Sequence, residues 1–164
     1  MAPTAMFYDF TVLDNQKRPL PLSLLKGKVV VVVNVATLCG FAPQYYELQQ
    51  IWNLHRDKGL VILAFPCNQF GNQEPLPAAQ VAAQVHAEYG VTFPIMEKVY
   101  VNGPHEHPLY TFLKNQQKNC LGFKGIKWNF EKFVIDRNGE VVRRFGTDTP
   151  PRAIEPYLRE LLEN

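Results

Sequence analysis

The stretch from Lys28 to Pro43, KVVVVVNVATLCGFAP, decides most of what this chain can become. Its unbroken valines, Val29 to Val33, are apolar on both faces, as a strand inside a parallel or mixed sheet must be. Asn34, Val35, Ala36 and Thr37 end the run, and Gly40 lets the backbone turn. Pro43 suits the first turn of a helix, where its missing N–H would have had no partner. Beyond it, Leu48, Ile51, Trp52 and His55 recur at the spacing of a half-buried helical face. Cys39 is therefore expected where a buried strand passes into a helix N-terminus.

That location has chemical consequences. The thiolate, not the thiol, is the reactive form of cysteine, and an ordinary thiol ionises only near pH 8.5. Unpaired N–H groups and the positive end of a helix dipole favour an anion. The plainer reading of Cys39 is a small buried core residue. A dithiol of the C-x-x-C type is disfavoured, because Cys39-Gly40-Phe41-Ala42 ends in alanine.

Upstream, Tyr8, Phe10 and Val12 alternate with Asp9, Thr11 and Leu13, the pattern of a strand with one wet face. A turn at Asp14-Asn15 leads to Arg18–Leu22, where two prolines allow only an edge strand or loop. Downstream, the helix from about Pro43 to Lys58 closes at Gly59. Leu60 to Phe65 (LVILAF) is a second apolar strand, so the two strands and their helix form a right-handed βαβ unit. Loops at the C-terminal ends of parallel strands are where sites form in open α/β sheets. Cys39 lies beyond one such end and Gln73 beyond the other, so the two can converge.

Helical character resumes near Ala78, with Val81 and Val85 on one face, and ends before Gly90. Thr92 to Met96 is a short extended piece, Val99 to Pro108 a loop, and Pro108 to Leu113 the start of another short helix. His105 and His107 have no ligand partners at a metal-binding spacing and read as a solvated pair. Phe130 to Asp136 is a strand, Asn138-Gly139 a type I′ hairpin turn, and Val141 to Phe145 the returning strand. A last helix from about Pro151 to Leu162 turns Ile154, Tyr157, Leu158 and Leu161 inward.

Composition narrows the function classes. A chain of 164 residues suits one compact domain, 1–164. Seventeen Lys and Arg against 15 Asp and Glu leave a formal charge of +2, too small to imply nucleic acid or a strongly attracted membrane surface. Three cysteines, an odd number, argue against a disulfide framework and fit a reducing compartment. MAPTAMFYDF carries no basic region followed by a long apolar stretch, so a secretory signal is not expected. The reading is cytoplasmic, with a trimmed organellar targeting segment as the alternative. No apolar run approaches the roughly twenty residues of a membrane span.

Four blocks carry a resemblance: NVATLCGFAPQYYEL (Asn34–Leu48), LAFPCNQFGNQEP (Leu63–Pro75), YGVTFPIM (Tyr89–Met96) and GIKWNFEKFVID (Gly125–Asp136). In this order and over nearly the whole chain, the sequence resembles the glutathione peroxidases. It is most similar to their short, phospholipid-hydroperoxide or thioredoxin-dependent branch. The element order β-α-β-α-β-β-α is that of a thioredoxin-like α/β fold, with a central mixed sheet flanked by helices and an N-terminal β extension. The resemblance implies the same. It puts Cys39 at the position of the peroxidatic residue, which is selenocysteine in some members. Gln73, Trp128 and Asn129 match the other members of the family's catalytic tetrad. Their chemistry fits, since amide and indole N–H groups can hold a thiolate and a leaving oxygen. A plainer reading has Trp128 filling core volume and the two amides capping turns.

The activity so implied is reduction of hydrogen peroxide and of organic or lipid hydroperoxides through a Cys39 sulfenic acid. No cofactor is expected beyond a thiol co-substrate, glutathione or a thioredoxin-type donor, and no metal. Thioredoxin-dependent members carry a resolving cysteine in the helix before YGVTFPI, at or beside Val85, and this chain has none there. An external thiol is the first expectation, Cys120 in the polar loop the second. Cys67 is spatially plausible as a resolving thiol, but following a core strand it reads first as an inert packed thiol. Lys118 to Lys127 is too short for the assembly loop of tetrameric relatives, which implies a monomer with a site open to bulky lipid hydroperoxides. Lys124 and Lys127 read as solvated lysines, with attraction of phosphate or glutathione carboxylates as the alternative. Two other functions are weighed: a peroxide sensor passing oxidation from the same Cys39 to a client, and an inactive thioredoxin-like binding domain in which Cys39 is an ordinary thiol.

Overall fold

The computed structural model describes residues 4–164. The valine run forms β3 (Val29–Val35), buried at every position. It follows a two-stranded antiparallel pair, β1 (Thr11–Leu13) and β2 (Pro19–Pro21). After β3 come α1 (Gln44–His55), β4 (Leu60–Pro66), α2 (Ala78–Tyr89) and α3 (Pro108–Gln116). The chain ends with β5 (Lys132–Ile135), β6 (Val141–Phe145) and α4 (Pro151–Glu163). The main sheet has the order β4-β3-β5-β6, with β3 parallel to β4 and antiparallel to β5. It is a mixed sheet flanked by helices, as the sequence reading expects.

Both faces of the sheet are covered, which is why the valines show no alternation. Val29, Val31 and Val33 pack with Leu48 and Ile51 of α1 and Ile154 and Leu158 of α4. Val30 and Val32 face Phe7, Leu109, Tyr110 and Leu113 on the other side. The free edge of β4 is closed by the segment around Ile95, where Ala64 N–H donates to Pro94 O and Met96 N–H to Ala64 O.

Local chemistry corrects the sequence reading in several places. The strand expected from Tyr8 is a 3-10 turn, Phe7–Asp9, leaving only Thr11–Leu13 extended. The Asp9 carboxylate accepts the Met6 N–H at 2.9 Å, closing the turn and driving Phe7 into the core. α1 stops at His55 and tightens into a 3-10 turn before Gly59, whose φ of 108° ends it. On α1 the neutral polar residues Gln44 and Gln49 are buried, whereas Trp52 is half-buried. On α4, Leu162 is buried and Tyr157 and Leu161 are half-buried.

The hairpin after β5 is not type I′, because Asn138 keeps a negative φ and only Gly139 is left-handed, at φ 81°. Gly139 N–H donates to Asp136 O and Asp136 N–H to Glu140 O, giving a three-residue loop. The Asp136 carboxylate stabilises it by accepting the N–H groups of Asn138 and Glu140. β5 itself starts at Lys132 rather than Phe130, since Phe130 has φ 64° and breaks the extended run. His107 is not a solvated residue: it is half-buried, its Nδ1 accepts the Leu109 N–H as the cap of α3, and burial pushes its pKa down. His105 is exposed.

Candidate active site

Strand directions decide which segments meet. β3 and β4 run in parallel, so Val35 and Pro66 end side by side. β5 runs the other way, so Lys132, opposite Val33, begins at that same end. The segments beyond β3 and β4 and the one before β5 are thereby gathered at one edge: Thr37 to Cys39, Asn68 to Glu74, and Trp128 to Glu131.

Named hydrogen bonds lock these segments together. Leu38 N–H donates to Gln73 O at 3.0 Å, joining the residue before the cysteine to the second loop. Thr37 gives both its N–H (3.0 Å) and its hydroxyl (2.7 Å) to the buried Glu74 carboxylate. Burial pushes the Glu74 carboxyl up, partly offset by those two donors and by Lys98. From β3, the Asn34 amide donates to Trp128 O at 3.0 Å, and its Oδ1 accepts Glu131 N–H at 3.2 Å. Asn34 O accepts the Phe130 N–H at 2.6 Å. Asn34 thus clamps the Trp128–Glu131 turn, with Phe130 held in its left-handed conformation.

Within this frame Cys39 is buried and Asn129 is fully buried, Gln73 is half-buried, and Trp128 is 36% exposed. Asn129 Nδ2 donates to Gln73 Oε1 at 3.1 Å, leaving the Gln73 amide nitrogen as a donor. Asn129 Oδ1 is buried with no partner among the described residues. A core-filling role does not describe Trp128, which lies against Phe70 with ring centroids 5.8 Å apart. Gly71 comes close as well: a Cβ there would meet the Gln73 side chain and the Trp128 ring at 3.4 Å.

Cys39 sits in the turn ahead of α1 rather than at its first residue, Gln44. Its Sγ accepts the Phe41 N–H at 3.4 Å, so one turn amide faces the sulfur. Beside Trp128 a cavity of about 680 Å³ opens, lined by Phe41, Cys120, Arg143 and Thr147 among others. Cys120 is exposed there, on a loop closed by Asn119 Oδ1, which accepts the N–H groups of Leu121 and Phe123. A buried pair anchors that loop: Arg144 meets Glu131 at 2.8 Å and donates to the carbonyls of Gln117, Lys124 and Gly125. Cys67 is elsewhere, fully buried, and burial pushes its thiol up. At the α2 position considered for a resolving thiol, Val85 is buried in the core. Among the described residues, no three His, Cys, Asp or Glu side chains gather as a metal site. No described helix is long and apolar enough to cross a membrane.

Sequence reasoning missed Asn34, Thr37, Glu74 and Phe41. Asn34, Thr37 and Phe41 stand in the block around Cys39 and Glu74 beside Gln73 in NQEP. The hydrogen-bond partners of Asn34, Thr37 and Glu74 lie in other segments and leave no signal there.

Comparison with known proteins gives the family and the fold. The family model described as glutathione peroxidase matches residues 7–114. A curated relative, "Glutathione peroxidase-like peroxiredoxin 2" of Saccharomyces cerevisiae, is 50% identical over 159 residues, 97% of this chain and 98% of its own. The crystal structure of Trgpx in its apo form superimposes with a TM-score of 0.83 at 39% identity, covering 99% of this chain and 98% of that one. A thioredoxin family thiol:disulfide interchange protein from Chlorobium tepidum shares the fold at 17% identity, with a TM-score of 0.67 over 99% of each chain. A strand-to-turn cysteine, a glutamine after the next strand and a Trp-Asn pair before the third are thus set on a thioredoxin-like sheet, in a chain that belongs to the glutathione peroxidase family.

Proposed function

We propose that the protein is a thiol peroxidase whose Cys39 reduces hydrogen peroxide and organic or lipid hydroperoxides. The Cys39 thiolate attacks one peroxide oxygen, forming an S–O bond as the O–O bond breaks. The leaving alkoxide or hydroxide takes up a proton and departs as alcohol or water, and Cys39 is left as a sulfenic acid. A first donor thiol condenses with it, releasing water and forming a mixed disulfide. A second thiol then exchanges with that disulfide and restores Cys39. Two donor thiols thus leave as a disulfide for each hydroperoxide reduced.

The observation that carries this reading is that the segments bearing Cys39, Gln73 and Asn129 are hydrogen-bonded to one another at one end of the sheet. Gln73 and Asn129 are bonded to each other at 3.1 Å, and Gln73 is tied to Leu38 beside the cysteine. Such donors act on developing negative charge through fixed dipoles rather than by proton abstraction. Trp128 and Phe41, both exposed, line one cavity and give it an apolar wall that suits bulky hydroperoxides.

The reductant in this reading is an external thiol, glutathione or a thioredoxin-type protein. Val85 leaves α2 without a resolving cysteine, and Cys67 is sealed in the core. Cys120, exposed on the cavity wall that also holds Trp128, is the second choice. The chain acts as a monomer in the cytoplasm, with no cofactor beyond the thiol. Peroxide consumption with glutathione or thioredoxin as donor tests this. Cys39→Ser is expected to abolish turnover, and Gln73→Ala or Asn129→Ala to lower it by about a hundredfold, the effect of removing one preorganised donor. Turnover by Cys39→Ser at the parent rate would overturn the proposal.

A further inference from the structure

Three residues after Asn129 the chain buries a lysine. Lys132 is fully buried, lining one small void with Leu48 and Ile51 of α1 and Ile154 and Leu158 of α4. Its Nζ donates to backbone carbonyls, those of Thr149 at 2.7 Å and of Gly146 and Thr147 at 3.3 Å. The charged groups facing it are Asp148 on the same loop, Glu131 beside it, and Glu47 on α1. Glu131 is engaged by Arg144 at 2.8 Å and Glu47 by Arg152 at 3.5 Å. The remaining α1 and α4 side chains named are apolar.

Thr147 is a junction. Its carbonyl accepts from Lys132 and, at 2.7 Å, from the amide of Gln44, the first residue of α1. Its hydroxyl donates to the carbonyl of Asn129 at 2.6 Å. The ammonium is therefore linked through one short loop to both the start of α1 and the backbone of Asn129.

We propose that Lys132 is a positioning residue for the peroxidatic site: its ammonium clasps the 146–149 loop, and Thr147 on that loop fixes Asn129. The inference rests on the reading of Asn129 as a donor at the reacting centre. An ammonium has three N–H groups for the three carbonyls, whereas a neutral amine has two and turns a lone pair toward them. Burial pushes the Lys132 pKa from 10.5 down to about 7, so the change of state falls in the working pH range.

Stability and positioning then move in opposite directions with pH. Between the lowered folded value and the ordinary lysine value, the unfolded chain binds more protons than the folded one. The stability of the parent relative to a variant lacking the amine therefore rises as pH passes upward through about 7. The clasp, by contrast, loosens as the proton leaves.

The test measures the rate constant for reduced protein with hydrogen peroxide, and denaturant stability, from about pH 6 to about pH 8.5, a range spanning the titration. The proteins are the parent, Lys132→Met, Thr147→Val and the double variant. The parent-to-variant rate ratio should be several-fold at the acid end and shrink toward one as pH passes 7, while relative stability moves the other way. Lys132→Met should add little to Thr147→Val. Should Lys132→Met not fold, the parent-to-Thr147→Val ratio must show the same decline, and Lys132→Arg, permanently charged, must lack it. A flat ratio, one that tracks stability, or additive effects would overturn the inference. A parent without Cys39-dependent turnover would instead sink the peroxidase reading.

Discussion

Phe130 occupies the left-handed region at φ 64°, a conformation that costs a bulky residue about 1–2 kcal/mol. The cost is offset by full burial, by an edge-on contact with Tyr45 at 5.3 Å and by the clamp of Asn34. Strain of this kind beside Asn129 is what a turn built to aim one amide would show. Glu74 is a second residue whose setting works against it, a carboxylate buried for the sake of two Thr37 donors. Its pKa is raised by burial, so on raising the pH the unfolded chain ionises first and the folded chain later. Its stabilising contribution is full below the ordinary carboxylate range and is lost as pH rises through the folded value. Relative to Glu74→Gln, the parent should therefore lose stability as pH rises above the ordinary carboxylate range, and paired urea titrations read that difference. A difference that widens in the parent's favour would contradict the burial argument. Cys39, Gln73, Trp128 and Asn129 could be marked from their motifs, but Asn34, Thr37 and Lys132 could not. Their roles lie in hydrogen bonds to residues far away in sequence, which leave no periodic trace.

The strand, helix and cap signals of β3, α1, β4 and α2 were legible because burial and local preference agree there. Legibility failed where a local side chain competed with the pattern, as Asp9 did against a longer first strand and Asp136 against a two-residue hairpin. Lys132 shows another limit: with β5 buried on both faces, alternation assigns no side, and a lysine in an apolar strand gave no partner by itself. Two left-handed glycines separate the loops by their effect. A Cβ at Gly139 (φ 81°) would strike the Tyr8 ring at 2.6 Å, whereas one at Gly71 (φ 71°) would only touch Gln73 and Trp128, at 3.4 Å. Gly139→Ala should cost about 1–3 kcal/mol of stability with near-parental turnover, strain and clash together. Gly71→Ala should cost about 1 kcal/mol and lower peroxide turnover several-fold, since it strains the left-handed turn that leads into Gln73. Denaturant midpoints and initial rates on both variants decide it, and equal losses of rate would contradict the assignment of Gly71 to the site.

Taken whole, the fold packs a core on both faces of the sheet and gathers the proposed site at one end of it. Helices cover both faces of the sheet, and β3 carries the clamp Asn34 near its end and leads into the turn that holds Cys39. The cavity beside Trp128 leaves that end open on the side where Cys120 stands. Because three chemically similar thiols share the chain, the most direct measurement is intact mass with peptide mapping after one equivalent of hydrogen peroxide. The account predicts a single oxygen, or its glutathione adduct when that thiol is present, located on Cys39 and absent in Cys39→Ser. Oxidation that falls first on Cys67 or Cys120, with Cys39→Ser modified as readily as the parent, would contradict it.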